Sequence, residues 1–122
     1  MLQKCVLVVE DEPIIAELWS MYIEDLALEV CGVAQTGEAA IALAQKHRPA
    51  LILMDMRLRG GMDGVDAAIA INATVGSKIV FLTGSRDPET LARIQLAKPM
   101  TVLFKPVSDR QLSIAIQEAM PR

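Results

Sequence analysis

Hydrophobic and polar positions alternate along the chain between two kinds of segment. Five short, mostly apolar runs predict β-strands, and five longer segments with apolar residues three or four positions apart predict α-helices. The predicted strands cover residues 5–9, 29–33, 50–54, 78–82 and 101–104. Because strands and helices alternate regularly, we expect right-handed crossovers and a parallel sheet covered by helices on both faces.

Several residues mark where the predicted helices begin and end. Pro13 suits the first turn of the first helix, Thr36 opens the second, and Ser108 can cap the fifth. Pro49 forces the second helix to stop. The third helix is predicted over residues 65–73, and the fourth ends near residue 97. The apolar stripes comprise Ile15, Leu18, Trp19, Tyr22, Ile23 and Leu26 in the first helix and Leu112, Ile114, Ile116 and Met120 in the last.

Charged and hydroxyl side chains stand at the ends of four predicted strands. Glu10 and Asp11 follow the first strand, Asp55 the third, Thr83 the fourth and Lys105 the fifth. The carboxyl ends of parallel strands share one edge of the sheet, where ligands bind, so these groups should meet in one crevice. Carboxylates this close repel one another unless a cation joins them, and hard oxygen ligands suit Mg²⁺. The chemistry indicated is phosphoryl transfer to a carboxylate.

Each of these groups also has a purely structural explanation. Glu10 and Asp11 could be the acidic first turn of a helix, which its dipole favours. Asp55 could cap a loop, Thr83 could satisfy a turn, and Lys105 could be solvated. Their arrival together at successive strand ends favours a functional site.

Length, composition and net charge limit the classes of protein to which this chain could belong. The 122 residues, 52% of them hydrophobic, predict one domain over residues 1–122. The net charge of −3 argues against nucleic acid as a direct partner. No apolar stretch reaches the roughly 18 residues that span a membrane, and the first residues lack the layout of a signal peptide. We expect a cytoplasmic protein, and Met1 with the helical end favours a complete one.

The positions of the two cysteines and the single histidine do not indicate a catalytic or metal-binding role. Cys5 and Cys31 fall in predicted strands without a C-x-x-C pair, which predicts buried, reduced thiols. His47 lies at the predicted end of the second helix, where positive charge is favourable.

The constellation of Glu10–Asp11, Asp55, Thr83 and Lys105–Pro106 resembles the receiver domain of two-component response regulators. The resemblance covers nearly the whole chain. It implies a flavodoxin-like (βα)5 fold, a doubly wound parallel sheet with strand order 2-1-3-4-5.

The resemblance also implies a metal site and a phosphoacceptor. Asp55 would accept a phosphoryl group from the phosphohistidine of a sensor histidine kinase or phosphotransfer protein. Asp11 and Asp55 would ligate Mg²⁺ directly, Glu10 would reach it through water, and the backbone carbonyl of Arg57 would complete the protein ligands.

The resemblance also implies which other residues contact the phosphoryl group. Lys105 would neutralise Asp55 at rest and later hold a phosphate oxygen, and the Thr83 hydroxyl would bind another. Gly84 would leave the site open to the donor. The peptide bond between Lys105 and Pro106 resembles the family's cis peptide, which aims the lysine.

The chain departs from the family pattern in three places. The loop at residues 57–64 is one residue longer than the commonest form and has Arg59 where proline is usual. Arg57 and Ser85 occupy the two positions that tune how long the phosphate survives. Val102 stands where most receivers have the tyrosine or phenylalanine that reports phosphorylation, so we expect the signal to pass through the loop after Thr83 and the fourth helix.

We therefore expect a stand-alone receiver domain that catalyses its own phosphorylation and slow dephosphorylation but turns over no separate substrate. Its output would be phosphorylation-dependent binding to another protein, or passage of the phosphate along a relay. One alternative is a pseudo-receiver that never takes phosphate. Another is an aspartate-nucleophile phosphatase, but such enzymes need a second acid two residues after the nucleophile, where this chain has Arg57.

Overall fold

The computed structural model describes residues 1–120, in which five strands alternate with five helices. Every predicted strand and helix is present. In chain order the elements are β1 (Gln3–Val9), α1 (Pro13–Asp25), β2 (Glu29–Ala34), α2 (Gly37–His47), β3 (Pro49–Asp55), α3 (Gly64–Thr74), β4 (Lys78–Thr83), α4 (Pro88–Gln95), β5 (Thr101–Phe104) and α5 (Asp109–Ala119).

The strands form one parallel sheet in the order β2-β1-β3-β4-β5, which confirms the flavodoxin-like fold. The register brings the carboxyl ends of neighbouring strands level with one another. Val9 pairs with Met54, and Asp55 pairs with Leu82. Thr83, the last residue of β4, pairs with Phe104. The residues that follow β1, β3, β4 and β5 therefore share one edge of the sheet.

Two apolar layers hold this edge in place. On one face, Leu7 and Val9 pack with residues of α2 and α3, and with Ile94 of α4. On the other face, Val6 and Val8 pack with residues of α1 and α5. All seven residues of β3 are buried, so the strand that ends in Asp55 is fixed from both sides.

The structure corrects some of the predicted boundaries. β3 and β4 each run one residue further than predicted, so Asp55 and Thr83 are the last residues of their strands. α4 ends at Gln95 rather than near residue 97, because Leu96 and Ala97 donate to carbonyls three residues back and tighten the chain into a turn.

Two members of the predicted apolar stripes are exposed. Ile114 lies two positions from both Leu112 and Ile116, about 200° around the helix, and therefore faces away from the sheet. Leu18 is likewise exposed, because the neighbouring Trp19 takes the buried direction.

The two cysteines and His47 lie away from the carboxyl ends of the strands. Cys5 is buried and Cys31 half-buried on neighbouring strands, and both are free thiols. Burial, with the nearby Cys5 thiol, raises the pKa of Cys31 to about 12, so this thiol is held in its protonated form. His47 is the last residue of α2, as predicted. Among residues 1–120, no helix has the length and apolar character to cross a bilayer.

Candidate functional site at the carboxyl edge of the sheet

Three carboxylates gather where β1 and β3 end. Glu10, Asp11 and Asp55 each offer an oxygen, and these atoms all lie within 4.8 Å of one another. Glu10 and Asp55 are buried, and Asp11 is half-buried at the opening. Glu10 is fixed further by its backbone N–H, which donates to the Ala34 carbonyl at 2.9 Å. The structure thus brings together the acidic groups that the sequence placed at strand ends.

Lys105 reaches into this cluster from the end of β5. Its Nζ lies 3.2 Å from Oε1 of Glu10 and 3.2 Å from Oδ1 of Asp55. The Lys105–Pro106 peptide bond is cis, as the resemblance implied. Burial acts to lower the pKa of Lys105, but the charges of Asp55 and Glu10 outweigh it and leave this pKa above its ordinary value. The lysine is therefore a fixed positive charge between two acids.

Glu10 is the acid that is most costly to ionise. Its side chain is only 1% exposed, and burial together with the neighbouring Asp55 raises its pKa from 4.5 to about 7. The backbone N–H of Glu12, which donates to Oε2 at 3.2 Å, opposes this shift only in part. Burial and the neighbouring Asp55 therefore favour the neutral form of Glu10 to a higher pH than in an exposed glutamate.

This shift predicts how the stability of the metal-free protein depends on pH. A raised acid pKa contributes stability that is complete below about 4.5 and is lost as the pH rises through about 7. The free energy of unfolding should fall by roughly 1–3 kcal/mol over that window, and Glu10→Gln should remove most of the slope. Urea unfolding with chelator at several pH values measures this. Glu118→Gln, at an exposed position of α5, is the control, and parallel profiles for Glu10→Gln and wild type would contradict the prediction.

The donor set fits a small divalent cation. The possible ligands gathered here are carboxylate oxygens, which Mg²⁺ prefers, and the pKa of Glu10 is raised, a shift that a bound cation would oppose. Asp11 and Asp55 border the cavity at this edge of the sheet, and Glu10 is not part of its lining.

Thr83 closes the next strand along the edge. It is buried, and its Oγ1 accepts a hydrogen bond of 3.1 Å from the backbone N–H of Ser85. The Ser85 hydroxyl accepts in turn from the N–H of Asp87. Gly84 is exposed, and a Cβ added there would meet nothing within 4 Å. The Thr83 hydroxyl therefore organises the first residues after β4, and Thr83 lines the same cavity as Asp11 and Asp55.

The long loop between β3 and α3 forms the opposite wall of the site. The N–H of Arg57 points to Oδ1 of Asp55 at 3.5 Å, and the N–H of Gly64 donates to the Met56 carbonyl at 2.9 Å. A cavity of about 900 Å³ opens between this loop and the start of α4. Its lining includes Asp11, Asp55, Arg57, Thr83, Gly84, Ser85 and Lys105.

The loop between β3 and α3 also packs against the start of α2. Arg59 forms a parallel β-bridge with Thr36, just before α2. The Met62 side chain lies over Gly37, where an added Cβ would approach its sulfur to 2.7 Å. The loop is consequently packed against the scaffold, although it contains Gly60 and Gly61.

The predicted signalling position on β5 has no ring, but an aromatic side chain lies two residues further on. Val102 is half-buried and packs on the core layer beneath α3 and α4. The ring of Phe104 lies 4.0 Å from the guanidinium of Arg86, measured to the ring centroid. This cation–π contact connects the end of β5 to the residues that follow Thr83.

Sequence reasoning missed two contacts of the site. The ring of Trp19 lies 5.6 Å from Lys105 Nζ, beneath the lysine. Arg93 of α4 binds the first turn of α3. The sequence placed Trp19 correctly on a buried stripe, but which strand end it lies under depends on the packing of α1 on the sheet.

Comparison with known proteins identifies the family. The model of the response regulator receiver domain matches residues 6–117. The phyllosphere-induced regulator PhyR of Methylorubrum extorquens is 33% identical over 116 residues, which cover 94% of this chain and 43% of PhyR. The transcriptional regulatory protein PdtaR of Mycobacterium tuberculosis is 34% identical over 117 residues, which cover 96% of this chain and 57% of PdtaR. The chain spans about half the length of these curated relatives.

Solved structures agree in fold and in sequence. The signal receiver domain of a modulated diguanylate cyclase from Desulfovibrio desulfuricans G20 superposes with a TM-score of 0.87 at 37% identity, covering 93% of this chain and 90% of that one. A CheY-like receiver domain protein from Methanospirillum hungatei JF-1 gives 0.85 at 27% identity, covering 97% and 93%. From its sequence, its strand order and its acidic edge, this chain belongs to the response regulator receiver domain family.

Proposed function

We propose that this chain is the phosphoacceptor of a two-component phosphorelay, in which Asp55 takes a phosphoryl group from the phosphohistidine of a sensor histidine kinase or phosphotransfer protein. The observation that carries the proposal is the position of Asp55. Its carboxylate lies at the end of the fully buried β3, within 3.2 Å of Lys105 and beside two further acids. An acid held in this way is oriented and open to the cavity.

The residues of this chain have distinct parts in the transfer. An Oδ atom of Asp55 attacks phosphorus, and the bond from phosphorus to the donor histidine nitrogen breaks, with its electron pair left on the histidine. Lys105 leaves its contact with the Asp55 carboxylate to neutralise a phosphoryl oxygen. The Thr83 hydroxyl, whose oxygen accepts from the Ser85 N–H, donates its proton to another phosphoryl oxygen.

Mg²⁺ would be held by Asp11 and Asp55 directly, by Glu10 through water, and by the backbone carbonyl of Arg57. When bound, it supplies positive charge that offsets the carboxylates and the phosphoryl oxygens. The role of Glu10 is then to keep negative charge behind the two direct ligands, where it also holds Lys105 at 3.2 Å.

The output is phosphorylation-dependent binding to a target protein, or onward passage of the phosphate. The chain turns over no separate substrate, because the residue two positions after Asp55 is Arg57 and supplies no second acid for a phosphatase cycle. A pseudo-receiver is disfavoured, because one edge of the sheet carries the acidic cluster, Lys105 and Thr83 together. We place this activity in the cytoplasm.

Incubation with acetyl phosphate tests the proposal. Intact-mass measurement should find a single phosphoryl group per chain in the presence of Mg²⁺ and none with excess chelator. Absence of labelling in both samples would favour the pseudo-receiver. Labelling of equal extent with and without the metal would contradict the proposed site.

Removal of a metal ligand should weaken Mg²⁺ binding. Asp11→Ala leaves Asp55 as the only direct carboxylate, so we expect the dissociation constant for Mg²⁺ to rise by about tenfold or more. Amide chemical shifts during a Mg²⁺ titration measure it. Asp25→Ala, at the exposed end of α1, removes the same charge and should bind as wild type does. Unchanged affinity in Asp11→Ala would show that the ligands are assigned wrongly.

Arg57 should set the lifetime of the phosphoryl group. Its long cationic side chain borders the cavity, where it can screen charge or obstruct the attacking water. We expect Arg57→Ala to change the dephosphorylation rate by roughly threefold to tenfold while Asp55 still accepts phosphate. Decay of labelled protein after removal of acetyl phosphate gives the rate. Arg59→Ala removes a cation from the same loop outside the cavity lining, and equal decay in all three proteins would exclude Arg57 from the mechanism.

A further inference from the structure

Helix α4 is attached to the first turn of α3 by a branched ion pair. Nε and Nη2 of Arg93 each lie 3.2 Å from a carboxylate oxygen of Asp63, and Nη2 also lies 2.8 Å from Oδ1 of Asp66. The contact to Asp63 is bidentate, which fixes the orientation of both side chains. Arg93 therefore holds one particular position of α3 relative to α4.

Asp63 is itself part of the structure that surrounds the phosphoacceptor. It is the N-cap of α3, and with Asp66 it forms a capping box. The next residue, Gly64, is so close to Asp55 that an added Cβ would overlap the Asp55 carbonyl oxygen. The Gly64 N–H closes the loop by donating to Met56. A displacement of Asp63 would consequently move the backbone beside Asp55.

The rest of α4 is loosely attached. Of its eight residues only Ile94 is buried. At the far end, Nδ2 of Asn72 on α3 donates to the carbonyl of Ala97, just after α4. Both polar contacts from α3 therefore hold the last turn of α4 and the residues just after it, and the contact made by Arg93 is nearer to the site because its partners begin α3.

We propose that Arg93 is a positioning residue for phosphoryl transfer, which acts through Asp63 to hold the loop between β3 and α3 in its metal-binding form. This inference rests on the proposed function of Asp55 and identifies how that site is regulated. Coupling between two sites is reciprocal. A partner that displaces α4, and Arg93 with it, therefore weakens Mg²⁺ binding, and Mg²⁺ with phosphate in turn favours the attached position of α4.

The size of the effect follows from the exposure of the three side chains. Arg93 is 41% exposed, and Asp63 and Asp66 are 32% and 47% exposed, so solvent and salt screen the attraction. The bidentate geometry and the second acid raise it above that of an isolated surface pair. We expect loss of the contact to weaken Mg²⁺ binding by about twofold to tenfold.

Two variants separate this role from general damage to the fold. Arg93→Gln removes the cation, and Asp63→Asn removes the anion but retains a residue that caps helices well. Arg110→Gln, at an exposed arginine of α5, is the matched control. The first measurement is the hydrogen-exchange rate of the Gly64 amide in metal-free protein, which needs neither metal nor phosphate. The second is the dissociation constant for Mg²⁺, followed through the amides of Arg57 and Gly64, and repeated with beryllofluoride.

We expect Arg93→Gln and Asp63→Asn each to speed exchange at Gly64 and weaken Mg²⁺ binding, with the double variant no worse than Arg93→Gln alone. The difference from wild type should shrink at about 1 M salt. The role of Arg93 would be overturned if Arg93→Gln and Asp63→Asn matched Arg110→Gln in the exchange rate of Gly64 and in Mg²⁺ affinity. It would also be overturned if the effects of the two substitutions added fully in the double variant. Failure of wild type to bind Mg²⁺ with beryllofluoride would instead count against the proposed function, and exchange at Gly64 would still decide the inference.

Discussion

Asp55→Asn is expected to abolish phosphorylation by acetyl phosphate completely. The amide has nearly the shape of the carboxylate, so the buried end of β3 keeps its packing. It has no anionic oxygen to attack phosphorus, and it offers Lys105 a weaker partner than the carboxylate at 3.2 Å. Removal of this charge also relieves one cause of the raised pKa of Glu10, so the variant should be at least as stable as wild type in metal-free buffer near neutral pH.

Intact-mass measurement after a fixed time with acetyl phosphate and Mg²⁺ gives the labelled fraction. Asp109→Asn, in the exposed first turn of α5, controls for loss of an arbitrary aspartate and should be labelled as wild type is. Labelling of Asp55→Asn to the wild-type extent would place the acceptor elsewhere, and peptide mapping of the labelled chain would find it.

The second large effect is expected from a glycine that touches no ligand. Gly64→Ala would place a Cβ against the backbone carbonyl of Asp55 and 3.1 Å from Cγ of Met54. Backbone on one side and a packed core on the other leave little room to relax, so the first turn of α3 or the end of β3 must shift. We expect a loss of about 2–4 kcal/mol in the free energy of unfolding and weaker Mg²⁺ binding in the protein that folds.

Gly61→Ala is the control, because a Cβ at that position of the same loop would meet nothing within 4 Å. Urea unfolding of both variants separates the effect of a methyl group from that of its location. If Gly64→Ala unfolds at the same urea concentration as Gly61→Ala, then α3 can move away from β3 at little cost, and the close packing described here does not constrain the site.

The sequence predicted the fold because each local signal agreed with the others. Apolar runs placed the strands, and Pro13 and Ser108 placed helix starts that the structure confirms. The sequence predicts that the polar groups at strand ends lie close together, because the carboxyl ends of parallel strands share one edge of the sheet. That rule brings Asp11, Asp55 and Lys105 together without any knowledge of packing.

Features that depend on how helices pack against one another could not be predicted from the sequence. Arg93 has the pattern of an ordinary exposed residue on an amphipathic helix, and only the position of α4 over α3 reveals its partners. Ile114 fits the predicted apolar stripe only by residue type, because its spacing from Leu112 directs it outward. The early end of α4 is a property of the turn at Leu96, and Pro99 indicates an end in this region without fixing the last helical residue.

The contact between Trp19 and Lys105 makes Trp19 an intrinsic fluorescence probe of the site. Trp19 is the only tryptophan, it is 4% exposed, and its ring lies 5.6 Å from the amino group of Lys105, which would move on the proposed phosphorylation of Asp55. An ammonium group near an indole ring alters its emission, so withdrawal of Lys105 toward a phosphoryl oxygen should register as a change in intrinsic fluorescence. Phosphorylation and its reversal can then be followed in the unmodified chain in real time, without a dye, an isotope or a partner protein.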